Sequence, residues 1–248
     1  MCLITLAWRP GHAQPLVVAA NRDEFYARPS AALAEWQDAP GLIAGRDLEA
    51  GGTWLGITRS GRFAALTNIR DPRAATGLRS RGVLPVNFLR GQSSAHDYVQ
   101  GLKANAQDYS RFNLLVCDGQ QLCYFDSQSG ASEILSAGVY GLSNAGLDTP
   151  WPKVEYAKQA LAQCLESPQT RALLELLSDS QVPLDSALPE TGVGIAAERL
   201  LGSAFIASQT YGTRASTALI FEADGHWQLL ERSFGPNGAV MGDVSLQG

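Results

Sequence analysis

The stretch Cys2-Leu-Ile-Thr-Leu-Ala-Trp8 is followed, after the turn RPGHAQ, by Pro15-Leu-Val-Val-Ala-Ala20 and then by Asn21-Arg22-Asp23-Glu24. In the first run Cys2, Ile4, Leu6 and Trp8 alternate with Leu3, Thr5 and Ala7, so nearly every side chain on both faces is apolar. A strand of that kind is covered on both sides. PLVVAA has the same character, and the polar turn between the two runs predicts a hairpin. If its register allows, four polar residues return beside the cysteine.

Working outward, further strands are expected at 53–58 (TWLGIT) and 63–67 (FAALT), joined by RSGR, and at 112–117 and 121–126 across DGQQ. Helical signals cluster at 94–104, at 152–165, where Pro152 suits a first helical position, and at 169–178 behind Ser167 and Pro168, with a weaker one in ERLLGSAF. TRASTALIFE and HWQLLERSF then return to strands around ADGH. Strands at both ends with helices between them give an α+β class, and sheets apolar on both faces sit between other layers. The expectation is one domain over residues 1–248, a sandwich with helices outside.

The 248-residue chain is 45% hydrophobic and 17% charged, a composition that can offset the entropy of ordering a packed core. A net charge of -5 without a basic stripe excludes nucleic acid as an expected partner. No apolar run reaches the roughly 18 residues of a membrane helix, and no signal peptide opens the chain, so the cytoplasm is the expected location. The four cysteines, Cys2, Cys117, Cys123 and Cys164, are too irregular for a disulfide framework, and Cys117 and Cys123 read as buried thiols on either side of a turn. His12, His96 and His226 lack ligand spacing, so neither a metal nor a resident cofactor is expected.

Chemistry is expected at Cys2. A thiol attacks only as thiolate, and its free pKa of roughly 8.5 requires a base at neutral pH. An α-amine, with a pKa of roughly 7.7 to 8.0, is such a base, and a terminal cysteine carries both groups in one residue. Removal of Met1 is favoured by the small residue that follows it.

MCLI, NRDE at 21–24, GGTWLG at 51–56, RFAALTNIRDP at 62–72, SRG at 80–82, GLSNAGLDTPWPKV at 141–154 and GTRASTAL at 212–219, in this order, resemble the NRDE family, also called the transport and Golgi organisation protein 2 family. That family is similar to N-terminal-nucleophile hydrolases, which implies their four-layer αββα sandwich and, among the cysteine type, a set of roles. Cys2 would attack an acyl carbon of a small-molecule amide or thioester. Asn68 and Asn144 would donate to the oxyanion. Arg214 would sit beside the nucleophile, and Asp23 would hold the α-amine.

Those hydrolases space the early arginine and aspartate three positions apart, whereas Arg22 and Asp23 are adjacent. If Asp23 keeps its role the arginine position falls on Ala20; if Arg22 keeps its role the acid falls on Phe25. On a strand Asn21 and Asp23 share one face, and Arg22 and Glu24 the other. NRDE reads equally well as an ion-pair turn in which Arg22 meets Glu24 or Asp47. Arg70, Arg73, Arg79 and Arg81 occupy one glycine-containing loop whose forked donors suit an anionic head group, and Trp54 is a candidate pocket wall. The resemblance also implies a non-catalytic alternative, haem or acyl-CoA and lipid binding and trafficking. Haem would then be cargo, with cysteine or tyrosine as ligand.

Overall fold

The computed structural model describes residues 2–248, which form two compact units interleaved along the chain. The first comprises the chain up to Ala27, Arg70–Pro72 and Ala137–Gly248; the second comprises Arg28–Ile69 and Arg73–Ser136. The first unit opens with β1 (Cys2–Trp8) and β2 (Leu16–Phe25). The second unit follows with β3 (Ser30–Glu35), β4 (Leu42–Asp47), β5 (Leu55–Thr58), β6 (Phe63–Asn68), α1 (Val83–Arg90), α2 (Ala95–Leu102), β7 (Phe112–Cys117), β8 (Leu122–Asp126) and β9 (Ala131–Ile134). The chain returns to the first unit with β10 (Gly138–Leu142), α3 (Pro152–Cys164), α4 (Thr170–Glu175), α5 (Ile195–Gly202), β11 (Tyr211–Phe221), β12 (Trp227–Phe234) and β13 (Val240–Gln247).

Each unit holds one antiparallel sheet. In the first the strand order is β10-β1-β2-β11-β12-β13, so the N-terminal hairpin sits between strands formed more than a hundred residues later. In the second the order is β3 to β9 in sequence, a meander. Each sheet has helices on one face. Leu3, Ala7, Val17, Ala19, Ala218, Ile220 and Leu230 pack with Val154, Ala157 and Leu161 of α3 and Leu173 and Leu174 of α4. Likewise Leu42, Ala44, Ala64, Phe112, Leu114, Val116 and Phe125 pack with Leu84, Phe88 and Leu89 of α1 and Val99 of α2.

The opposite sheet faces are also buried: Ile4, Leu6, Trp8, Val18 and Leu219 in the first unit, Ile43, Ile57, Phe63 and Leu115 in the second. Each unit is thus a helix-covered sheet dry on both faces, and the class is α+β. Burying each Leu, Ile, Val or Phe of these faces stabilises by roughly 1.5–3 kcal/mol, so both unbroken apolar runs are fixed in the interior.

NRDE is not a turn: β2 continues through it to Phe25. Asp47 instead meets Arg28, at 2.8 Å. The α1 helix was not expected, because VLPVNFLR carries a proline, two valines and no side-chain cap. Tertiary burial of Leu84, Phe88 and Leu89 overrides these preferences. Cys117 and Cys123 are buried free thiols, and loss of hydration pushes their pKa values up to about 12 and about 11. In GLSNAG, Gly141 lets α3 approach β10, since a Cβ there would lie 2.6 Å from Val154 Cγ1.

One buried ion pair ties the first unit together. Arg70 Nη1 meets Glu198 Oε2 of α5 at 2.5 Å, and both side chains are only 4% exposed. The same carboxylate accepts the Thr191 amide at 2.8 Å and its hydroxyl at 2.6 Å, while the guanidinium lies 5.0 Å from the Trp151 ring centroid, at the entry to α3. Removing one partner would leave a charge buried without its counter-ion. Glu198→Ala is therefore expected to cost about 3–5 kcal/mol in urea unfolding, and a loss below about 1 kcal/mol would contradict the role given to the pair.

Candidate functional site

The hairpin register decides what surrounds Cys2. Cys2 pairs with Arg22 and Leu3 with Asn21. On the other side β1 pairs with β10, with Ile4 opposite Leu142, so the chain leaving β10 passes Cys2 as Ser143 and Asn144. The Ser143 hydroxyl donates to the Cys2 carbonyl at 2.9 Å and lies 3.3 Å from Asn144 Oδ1. The Asn144 carbonyl in turn accepts the Arg70 amide at 2.8 Å, and Ser143 and Asn144 are both buried. Two strands that neighbour β1 thus bring residues about twenty and about 140 positions away to one cysteine.

Along β2, Val17 and Ala19 face the helices, and by the period of two Asn21 and Asp23 face them too. Asn21 Nδ2 donates to the carbonyls of Leu177 (3.0 Å) and Ala204 (2.8 Å), and its Oδ1 accepts Ser216 Oγ at 2.6 Å, so its amide is fixed at both ends. Asp23 Oδ1 accepts Thr213 Oγ1 at 2.7 Å, and that hydroxyl accepts the Ile206 amide at 3.0 Å. Arg22, paired with Cys2, lies on the opposite face together with the thiol.

The electrostatics follow from these positions. Cys2 is partly exposed, but the loss of hydration around its sulfur raises the thiol pKa and the Asp23 charge raises it further, while Arg22 and the Asp23 amide pull it down. Burial also raises the Asp23 carboxyl above its ordinary value, against the opposing pull of Lys153, Thr213 and Arg70. Lys153 in α3 is 5% exposed, its Nζ donates to the Leu201 carbonyl at 2.8 Å, and burial lowers its pKa to about 8.

Arg214 occupies a β-bulge in β11, between Thr213 opposite Asp23 and Ala215 opposite Arg22. Its Nη1 donates to the carbonyls of Phe25 (2.9 Å) and Tyr26 (3.0 Å), bracing the end of β2. Glu24 is half-buried and its Oε1 accepts the Phe25 amide at 2.9 Å.

The four loop arginines divide between the units: Arg70 holds Glu198 in the first, whereas in the second Arg81 donates to the Arg111 carbonyl at 2.9 Å and Arg79 stacks 5.1 Å from the Tyr109 ring centroid. Asn68 ends β6 opposite Phe112, and the Trp54 ring packs where only a glycine, Gly45, leaves room, both within the second unit. Sequence reasoning did not single out Ser143, Thr213, Glu198 or Lys153. Lys153 carried a signal, since a lysine in the first turn of a helix opposes the helix dipole and here stands between Trp151 and Val154.

Comparison with known proteins gives the family and the fold. Residues 1–236 match the family described as Transport and Golgi organisation 2. The Homo sapiens Transport and Golgi organization protein 2 homolog is 35% identical over 256 residues, covering 94% of this chain and 93% of that protein. The Drosophila melanogaster Transport and Golgi organization protein 2 is 26% identical over 253 residues, covering 88% and 86%. Among solved structures, the Caenorhabditis elegans N-acylethanolamine-hydrolyzing acid amidase ortholog superposes with a TM-score of 0.50 at 11% identity, covering 88% of this chain and 92% of that one. This likeness shows the fold alone, that of the N-terminal-nucleophile hydrolases.

Alkylation of Cys2 by iodoacetamide, followed by peptide mass, reads the charges around the thiol. Its half-maximal rate should fall above the roughly pH 8.5 of a free cysteine. Asp23→Asn removes a negative neighbour and should move the midpoint down by roughly one unit; Arg22→Met removes a positive one and should move it up. Identical midpoints in all three proteins would contradict the arrangement described.

Proposed function

The chain belongs to the Transport and Golgi organisation 2 family, and from that premise and the surroundings of Cys2 we propose that it is an N-terminal cysteine hydrolase acting on a non-peptide amide or thioester acyl bond of a small molecule. What supports the reading above all is the register Cys2 to Arg22, with Asn144 alongside, because it brings an arginine and a carboxamide to the residue that carries the thiol within a single unit.

On this reading Met1 is removed, and the freed α-amine of Cys2 accepts the thiol proton. The sulfur then attacks the acyl carbon, and the carbonyl oxygen, becoming an oxyanion, takes a hydrogen bond from the Asn144 amide NH2. The bond to the leaving amine or thiol breaks as the α-ammonium returns the proton to it, leaving a thioester on Cys2. Water, deprotonated by the same amine, adds to that thioester; the acid departs and the thiol is restored. Asp23, at the end of β2, stabilises the α-ammonium in both half-reactions, and Arg22 offsets the negative charge on sulfur.

The test is intact mass after incubating protein with and without Met1 with acyl amides and acyl thioesters of graded chain length. An adduct of one acyl group at Cys2 is expected only when Met1 is absent, none with Cys2→Ala, and Asn144→Ala should slow acylation about 10²–10³-fold. Absence of any adduct from the processed protein would overturn the hydrolase reading. Haem or palmitoyl-CoA binding unchanged by Cys2→Ala would then favour the carrier alternative.

A further inference from the structure

The first unit contains more buried charge than the acyl chemistry requires. Besides Arg22 beside the thiol and Glu231 on β12, the side chains of Asp23, Glu198, Lys153 and Arg70 are all buried in this unit. Arg70 is committed to Glu198 at 2.5 Å. Lys153 has no carboxylate within ion-pair distance among the described bridges; its ammonium is held by the Leu201 carbonyl at 2.8 Å. Charge is expensive to bury, and loss of hydration holds the Lys153 pKa down to about 8.

The backbone around it ties Lys153 to the strand that carries Asp23. The stretch from the last turn of α5 to Ile206 carries the Leu201 carbonyl that holds Lys153, the Ala204 carbonyl that holds Asn21, and the Ile206 amide that orients Thr213 toward Asp23. One short stretch of backbone therefore docks the first turn of α3 and the helix-facing side of β2 together. The groups whose charges reach Lys153 are Asp23 on β2, Arg70 in the Arg70–Pro72 segment, Cys2 on β1 and Glu198 on α5. Those reaching Asp23 among the described residues include Lys153, Arg70, the Thr213 hydroxyl, Cys2 and Tyr211.

We propose that Lys153 is a positioning residue of the Cys2 site, its buried ammonium serving as the counter-charge that keeps the Asp23 carboxylate ionised from the helix side of the sheet. The role in acyl transfer rests on the hydrolase reading above; the electrostatic coupling of Lys153 to Asp23 does not. Arg70, neutralised by Glu198, cannot substitute for it fully, so the ionisation of Asp23 follows the lysine. Asp23 in turn sets the charge at the amino end of β1. Lys153 touches neither the thiol nor an acyl group and acts through Asp23 alone.

The experiment uses the full chain lacking Met1, with Asp23 followed by carboxyl ¹³C chemical shift across pH. In Lys153→Met, which keeps the length and loses the charge, the Asp23 midpoint should rise by about one pH unit or more, since an opposite charge nearby depresses a carboxyl by roughly 1–3 units. Lys153→Arg should return it to near the wild-type value, and the acid limb of Cys2 acylation should move with it. An Asp23 midpoint unchanged in folded Lys153→Met overturns the proposal. If that variant does not fold, the Lys153 Cε titration is read in wild type and in Asp23→Asn. A midpoint that falls below the wild-type value supports the coupling, and one that stays in place overturns it. If acylation is absent throughout, only the hydrolase reading fails, and the carboxyl titration still decides the coupling.

Discussion

The pairing of Cys2 with Arg22 across the first hairpin is the constraint on which the rest of the site depends. A slip of one residue would turn every side chain of β1 to the other face, moving the thiol to the helix side and Leu3 away from its cluster. The register is therefore fixed by packing rather than by chemistry: Leu3, Ala7, Val17 and Ala19 must meet α3 and α4, and Ile4, Leu6, Trp8 and Val18 must fill the opposite face. The apolar residues determine where the polar ones arrive. This explains how Asn21 and Asp23 can occupy a dry strand, since each finds its partner at a predetermined position on β11 or on the backbone after α4 and α5.

Burying Asp23, Lys153, Arg70 and Glu198 in one unit costs desolvation energy that apolar residues in the same space would not incur. Their presence is the clearest departure of this chain from a purely structural solution. Two of the four form a close pair that fastens α5 and the entry to α3; the other two are apart, held by a hydroxyl and a backbone carbonyl. A close pair satisfies itself, whereas a separated one projects its field onto neighbours, and Cys2 lies within that field.

Much of this was legible in the sequence, and the part that was not has identifiable causes. β1 and the start of β2 declare themselves by being apolar on both faces, and α3 by its initial proline. β3, an alanine-rich SAALAE, has no strand signature, β10 is short and glycine-flanked, and β13 is mostly exposed, so each depends on its neighbour for its conformation. At the site, Cys2, Asp23 and Asn144 stand in recognisable motifs, yet their convergence follows from two registers that no motif encodes. Arg214 shows the limit of alternation: a bulge gives it a position outside the pleat, where its donors meet two carbonyls at the end of β2. Lys153 was unreadable as a buried charge because burial is a property of the assembled unit.

The order of the strands has a consequence for how the protein is made. The first hairpin is synthesised well before its flanking strands, β10 and β11, which are encoded after residue 137 and after residue 210. The whole of the second unit's meander is synthesised in the interval and can pair strand by strand from local contacts. The edge of β1 stays open until β10 is made, and the edge of β2 until β11 is made. The apolar faces of this hairpin thus wait for strands made much later, and no fragment that ends before β11 contains the sheet on which Cys2 is mounted.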